Sequence, residues 1–260
     1  MSKTLVITGG SSGIGLATAV LFKDKGWRVF ELSRHGASHD GIEHVNCDVT
    51  KPESVSQAVA TVLEQVEAID VLISNAGFGI SGAVEFTALE DAKRQMDVNF
   101  FGALNAVQAV LPHMRERHEG RILFTSSVAA VLPVPYQAFY SASKAAINAL
   151  ALALANEVRA FNIRVGYLMP GDVATGFTAA RDKSEKGAEV YQNVTKAVSA
   201  MERDEQNGMR PEQMAALFYK MATRRNPSPY YIGGLPYKIF CLLNRLLPTR
   251  FVNWIEGIMY

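Results

Sequence analysis

Short apolar runs alternate with amphipathic stretches from the first residues onward, and this alternation predicts the elements. TLVIT at 4–8 is aliphatic and β-branched throughout, the pattern of a strand buried on both faces. GIGLATAVLFKDKG at 13–26 has helical spacing and stops at Gly26. WRVFELS at 27–33 and IEHVNCDV at 42–49 read as further strands. PESVSQAVATVLEQV at 52–66 reads as a helix with Pro52 at its first position. A strand at 70–77, two helical stretches across 88–117, a strand at 121–127, a long helix around 137–160 and a strand at 163–171 complete the series.

Apolar strands separated by helices predict a parallel sheet covered on both faces, an α/β doubly wound, Rossmann-like fold. No repeat or low-complexity linker divides the chain, so residues 1–260 are expected to form a single domain. Its core is expected to span 1–171. The segment 172–210 is polar, weakly periodic and leaves the sheet after Pro170-Gly171. Such sheets bind ligands at that edge, so the segment is expected to be a helical lid insertion; a functionless surface excursion is the alternative.

A C-terminal helical extension is expected over 236–260. Ile239, Phe240, Leu242, Leu243, Leu246 and Leu247 share one broad face, and Pro248 breaks the run. Phe251, Val252, Ile255, Ile258 and Met259 form a second stripe with Trp254 beside it. These helices could cap a pocket, make a subunit contact or, with Lys238, Arg245 and Arg250, touch a membrane peripherally. The pattern leaves the three open.

Composition narrows the picture. Hydrophobic residues make up 48% and charged ones 20%, which suits a globular core and excludes a disordered chain. A net charge of +1 argues against a nucleic-acid partner. The charge is uneven: from Arg210 onward there are seven Lys/Arg and two Asp/Glu. Cys47 and Cys241 match no CxxC spacing, so buried reduced thiols are expected, with no disulfide framework and no metal. MSKTLVITGG enters a strand at once without a basic and apolar leader, and no run approaches the ~18 apolar residues of a membrane span. The expected location is cytoplasmic.

Two motifs carry chemistry. Directly after the first strand stands Thr8-Gly9-Gly10-Ser11-Ser12-Gly13-Ile14-Gly15, followed at once by a helix. Gly9, Gly13 and Gly15 permit a tight turn and close approach of a pyrophosphate to the free N–H groups at the helix start. The second is Tyr140-Ser141-Ala142-Ser143-Lys144, where Tyr140 and Lys144 lie one helical turn apart on one face. A phenol has a reference pKa near 10, so proton exchange near pH 7 requires about 4 kcal/mol of preferential phenolate stabilisation. A cation at ~4 Å in an effective dielectric of ~20 supplies roughly that much.

With its TGxxxGxG loop and YxxxK pair, the chain resembles the short-chain dehydrogenases/reductases, in the single-domain branch of roughly 250 residues. The resemblance covers about 3–180 and implies an oxidoreductase moving hydride between a nicotinamide cofactor and a ketone or secondary alcohol. In that family's terms Gly9, Ser11, Ser12, Gly13, Ile14 and Gly15 cradle the dinucleotide. Ser33 stands where NAD-preferring relatives carry an aspartate, and Arg34 follows it, which implies NADP(H) rather than NAD because a guanidinium pairs with a 2′-phosphate. Glu31 points to the same side as Ser33 and complicates this reading. Asp48, with Val49, matches the adenine contact, and Asn75-Ala76-Gly77 matches the segment that packs along the cofactor.

Tyr140 is then the general acid or base, and Lys144 holds the nicotinamide ribose and lowers the Tyr140 pKa. Ser127 bonds the developing alkoxide, and Asn99 is the fourth catalytic member. Pro170, Gly171, Val173 and Thr175 match the segment that meets the nicotinamide carboxamide. Tyr136, two turns from Lys144, is expected to line the substrate pocket together with Ser127 and Tyr140, and Ser126 to point to the opposite sheet face. The apolar tail favours a bulky steroid-, retinoid- or acyl-like substrate, and the resemblance adds an expected homodimer or homotetramer. A catalytically silent cofactor-binding regulator and a lyase or epimerase using the same tyrosine stand as alternatives.

Overall fold

The computed structural model describes residues 2–184 and 186–259, with the Met259 side chain of the second apolar stripe outside the described set. In chain order the elements are β1 (Thr4–Thr8), α1 (Gly13–Asp24), β2 (Arg28–Ser33), β3 (Ile42–Asn46), α2 (Pro52–Leu63), β4 (Val71–Ser74) and the short β5 (Ile80–Ser81). There follow α3 (Leu89–Met96), a π-turn over Asp97–Phe101, α4 (Gly102–Arg117), β6 (Gly120–Thr125), α5 (Ala138–Glu157) and β7 (Ile163–Met169). The last part holds β8 (Asp182–Lys183), α6 (Val194–Gln206), α7 (Pro211–Thr223), β9 (Tyr230–Ile232), α8 (Leu235–Leu246) and α9 (Thr249–Met259).

Seven strands form one parallel sheet in the order β3-β2-β1-β4-β6-β7-β9. Strand alternation divides the core into two layers. Leu5, Ile7, Val29, Val71, Ile73 and Leu123 pack under α1 and α7. Val6, Phe30, Leu32, Leu72, Ile122 and Phe124 pack against α2, α4 and α5 on the other face. This is the doubly wound fold read from the sequence.

Several strands and helices stop short of their expected ends: β3 at Asn46, β4 at Ser74 and β6 at Thr125. The residues after each stop leave the sheet to build the site. Among the elements without a sequence expectation are α7 and β9. Helix α7 starts with Pro211 at its first turn and buries Met214, Phe218 and Met221, with Tyr219 edge-on to Phe22 of α1 at 5.2 Å. It delivers β9 to the sheet edge beside β7, with Tyr167 opposite Tyr230. The lid segment is more regular than its polarity indicated, since it contains α6 and the strand β8, which pairs in parallel with β5. Helix α5 is long and apolar enough to pass for a membrane span by length and composition, which the sequence reading did not register; here it packs on the sheet.

Both cysteines are buried and unpaired, and burial pushes the Cys47 thiol up to about 11.

Phe218 is fully buried, so Phe218→Ala is expected to lower stability by about 3–5 kcal/mol in urea unfolding. Leu235→Ala, at a side chain 69% exposed, should change it by less than about 0.5 kcal/mol. Near-equal effects would show that α7 adds little to the core.

Candidate active site

The site begins where β1 and β4 lie side by side, with Thr8 opposite Ser74. The loops leaving these strands diverge, which opens a crevice at the topological switch point. Thr8 holds the two loops together: its Oγ1 accepts from the Asn75 and Ala76 N–H groups at 3.0 and 3.1 Å. Asn75 Nδ2 donates to the Gly9 carbonyl at 3.0 Å, and Asn75 Oδ1 accepts from Thr125 Oγ1 at 2.9 Å. Gly9 has φ +64°, a left-handed conformation that favours glycine. At Gly15 a Cβ would overlap the Gly9 carbonyl oxygen, so only glycine lets α1 start this close to the loop. Ser12 is the helix N-cap and its side chain makes no capping bond. The free N–H groups at the start of α1 therefore face the crevice as an anion cradle of the kind a dinucleotide phosphate fits.

The residues that the resemblance assigns to the adenosine end follow β2 and β3. Glu31 is buried, and its carboxylate interacts with the His44 ring. Ser33 Oγ donates to Glu31 Oε1 at 3.3 Å, so the complication read from strand alternation is present. Arg34 is exposed, and its carbonyl accepts from Asn46 Nδ2 at 2.9 Å. Burial pushes the Asp48 carboxyl up, but hydrogen bonds from Thr50 and the charges of Lys51 and Arg34 outweigh it and hold the group below its ordinary value. Arg34 and Asp48 thus sit at one end of the crevice. Val49 is buried, and its carbonyl accepts from Asn105 Nδ2. His44 is the residue that the sequence reading missed here. Strand pairing of β2 with β3 places it opposite Glu31.

Helix α5 brings the catalytic group to the ends of β4 and β6. Lys144 is almost wholly buried, and its Nζ donates to the Thr125 carbonyl at 2.9 Å. Burial lowers the ammonium to about 8. Its Nζ lies 5.7 Å from the centre of the Tyr140 ring. Burial pushes the Tyr140 phenol up to about 12; a hydrogen bond with Ser127 opposes this, Glu205 and Asp172 add to it, and Arg181 opposes it. The expected lowering of Tyr140 by Lys144 is therefore corrected for the protein alone, because burial dominates and the ammonium is directed at Thr125.

Asn99 sits in the π-turn, a local widening of the helix that often marks functional positions. All of its polar atoms are engaged: Oδ1 accepts from Phe78 N at 3.0 Å, and Nδ2 donates to the Phe78 carbonyl and to Ser143 Oγ at 3.0 Å each. Gly77 lies between Asn99 and Lys144, where a Cβ would stand 3.0 Å from Asn99 Oδ1 and 3.4 Å from Lys144 Nζ. Asn99 and Ser143 thus clamp the segment after β4 onto α5.

One cavity of about 850 Å³ runs through these parts. Gly9, Ser12, Gly13, Ile14, the Asn75–Gly77 stretch, Ser127, Tyr140, Lys144, Pro170, Gly171, Val173 and Thr175 line it. Ser11, Gly15, Ser33, Arg34, Asp48, Val49 and Asn99 are not among the residues that line it. Tyr136 is a correction. It does not line the cavity among the described residues; its backbone is left-handed at φ +61° and its carbonyl accepts from Gly82 N. Val134 and Gln137 take its place on the wall. Ser126 keeps the strand alternation: it follows Ile122 and Phe124 on the face toward α5, where its Oγ donates to Asn148 Oδ1 at 2.6 Å.

Much of the remaining wall comes from the segment 172–210 and from the apolar stripes of the C-terminal helices. Phe177, Met201 and Glu205 arrive from the segment 172–210, and Tyr237, Phe240, Leu243, Leu247, Val252 and Ile255 from α8 and α9. Tyr237 bonds the Asp172 carboxylate, and Arg181 pairs with Glu205.

The family profile described as short chain dehydrogenase matches residues 3–186. A 3-ketodihydrosphingosine reductase of Bacteroides thetaiotaomicron is 38% identical, covering 98% of this chain and 97% of its own. A probable short-chain type dehydrogenase/reductase of Helicobacter pylori is 30% identical over 97% of this chain and 95% of its own. Among solved structures, a short-chain dehydrogenase from Streptomyces avermitilis superposes with a TM-score of 0.84 at 29% identity, covering 95% of this chain and 92% of that one.

The buried lysine generates a pH dependence. Below pH 8 both folded and unfolded chains carry its proton, and the burial penalty is present in full. Between about 8 and the ordinary 10.5 the unfolded chain binds more proton, so this contribution rises with pH through that window. Tyr140 acts in the opposite sense, losing stability between 10.0 and about 12. Relative to Lys144→Met, wild-type stability is expected to gain about 3 kcal/mol across the lysine window in urea titrations. A difference independent of pH would show that the ammonium is not buried in this way.

Proposed function

The chain belongs to the short chain dehydrogenase family, and from that membership we propose that it is an NADP(H)-dependent reductase of ketones carried on a long apolar chain. The observation that carries this reading is the continuity of one cavity from the glycine loop, past Tyr140, to the apolar faces of α8 and α9. At about 850 Å³ it lies in the upper part of the ~300–1,000 Å³ range of small-molecule sites. The relative named 3-ketodihydrosphingosine reductase supports a lipid ketone as the substrate class.

The cofactor supplies a hydride to the carbonyl carbon when it is bound. Residues of this chain do the rest. Tyr140, hydrogen-bonded with Ser127, gives its proton to the carbonyl oxygen as negative charge develops there. Ser127 donates a hydrogen bond to the same oxygen. Lys144 would hold the nicotinamide ribose, and Val173 and Thr175 its carboxamide. The start of α1 would take the pyrophosphate. Phe177, packed 5.6 Å from the Tyr140 ring, and the apolar wall exclude water from the reacting carbonyl. Ser33 and Arg34 support the 2′-phosphorylated cofactor; the interaction of Glu31 with His44 leaves Arg34 the freer charge at that end.

An assay of straight-chain ketones of increasing length with NADPH and NADH, read by nicotinamide absorbance, tests the reading. Activity is expected to rise with chain length and to favour NADPH; activity confined to short polar ketones would overturn the substrate class. Tyr140→Phe is expected to lower turnover at least about a hundredfold with cofactor affinity kept. Turnover that survives would remove Tyr140 as the acid. For Arg34→Glu the ratio of kcat/KM with NADPH to that with NADH should fall at least about tenfold, and an unchanged ratio would remove the phosphate argument.

A further inference from the structure

We propose that the outer faces of α8 and α9 form a docking surface for an anionic phospholipid bilayer, from which an apolar substrate passes directly into the cavity. Leu235, Ile239, Leu242 and Leu246 recur at helical spacing on α8, and Leu235 and Leu246 are 69% and 71% exposed. Phe251, Trp254 and Ile258 do the same on α9, with Trp254 60% and Ile258 65% exposed. A helix that leaves its apolar stripe uncovered either meets a partner or lies in a membrane interface.

Charge decides between them. Lys238, Arg245 and Arg250 are exposed around the two stripes, whereas the one carboxylate of these helices, Glu256, is half-buried and lines the cavity. The rim is therefore cationic and complements an anionic headgroup layer. A second copy of this chain fits poorly, because a two-fold contact is self-complementary and would set these cations against their own copies. Trp254, stacked on Phe251 at 5.9 Å, is the side chain type that favours the headgroup level.

The same helices turn their other side inward: Phe240, Leu243, Leu247, Val252 and Ile255 line the cavity. Asn244 Nδ2 holds α8 over the site by donating to the Val131 carbonyl at 2.9 Å. An apolar ketone dissolved in a bilayer would thus enter between apolar surfaces without crossing water. Only this entry route rests on the proposed substrate class; bilayer binding stands without it.

The test is co-flotation of the full chain with phosphatidylcholine vesicles, with and without about one third phosphatidylglycerol. We expect binding to the anionic vesicles at least tenfold tighter than to the neutral ones, weakened by salt. Leu246→Glu combined with Trp254→Glu, outside the cavity wall, should abolish binding while turnover of a short soluble ketone is kept. Lys238→Glu with Arg250→Glu should remove the preference for anionic vesicles. No flotation of the wild type, or flotation unchanged by the Leu246/Trp254 pair, overturns the proposal. So does a wild-type dimer without vesicle affinity that this pair converts to monomer, since the face would then belong to a second copy. Loss of ketone turnover with vesicle binding retained would count against the substrate reading alone.

Discussion

Burying an ammonium is costly unless hydrogen bonds replace the water it gives up. Lys144 gives up nearly all of its water, and its Nζ donates to the carbonyl of Thr125, the last residue of β6. That contact ties the middle of the sheet to α5, the helix that also carries Tyr140 and Ser143. The register between α5 and the strand ends follows from it. Burial sets the electrostatic state of the site, pushing the ammonium down to about 8 and the phenol up to about 12. A phenol and a buried ammonium one helical turn apart emerge from one packing arrangement.

The crevice at the switch point depends on a second set of contacts. Thr8 and Asn75 join the loops after β1 and β4, and Asn75 continues to Thr125 after passing the Gly9 carbonyl. Three strand ends are thereby locked in one hydrogen-bonded chain, which gives the cofactor cradle and the catalytic helix a common frame. Asn99 extends that frame through Phe78 and Ser143. Preorganisation of this kind is what the chemistry requires, since dipoles already in place cost no reorganisation when charge develops.

The outer wall of the cavity is built differently. The base of the 172–210 segment is pinned where Met209 N donates to the Asp172 carbonyl and Ala174 N donates to that of Met209. Above it, Arg181 pairs with Glu205, which also accepts from Thr178 at 2.6 Å, while β5, Arg94 and Glu85 hold the segment from outside it. Helices α8 and α9 are attached at few points and leave much apolar surface exposed.

Local patterns in the chain settled the layered fold, the glycine loop and the Tyr140–Lys144 spacing, because each depends on residues within a few positions of one another. Continuous aliphatic strands could only be central and parallel, and glycine at 15 could only mean close backbone approach. Tertiary structure alone decided what depends on distant segments. It set His44 beside Glu31 through strand pairing and left Tyr136 off the cavity wall. It also brought α7 and β9 to the sheet edge and laid the tail helices over a cavity whose other wall lies some hundred residues earlier. Even the phenol's acidity belongs to this second group: a lysine one helical turn away is visible in the sequence, but burial, which outweighs it, is a property of the packed whole.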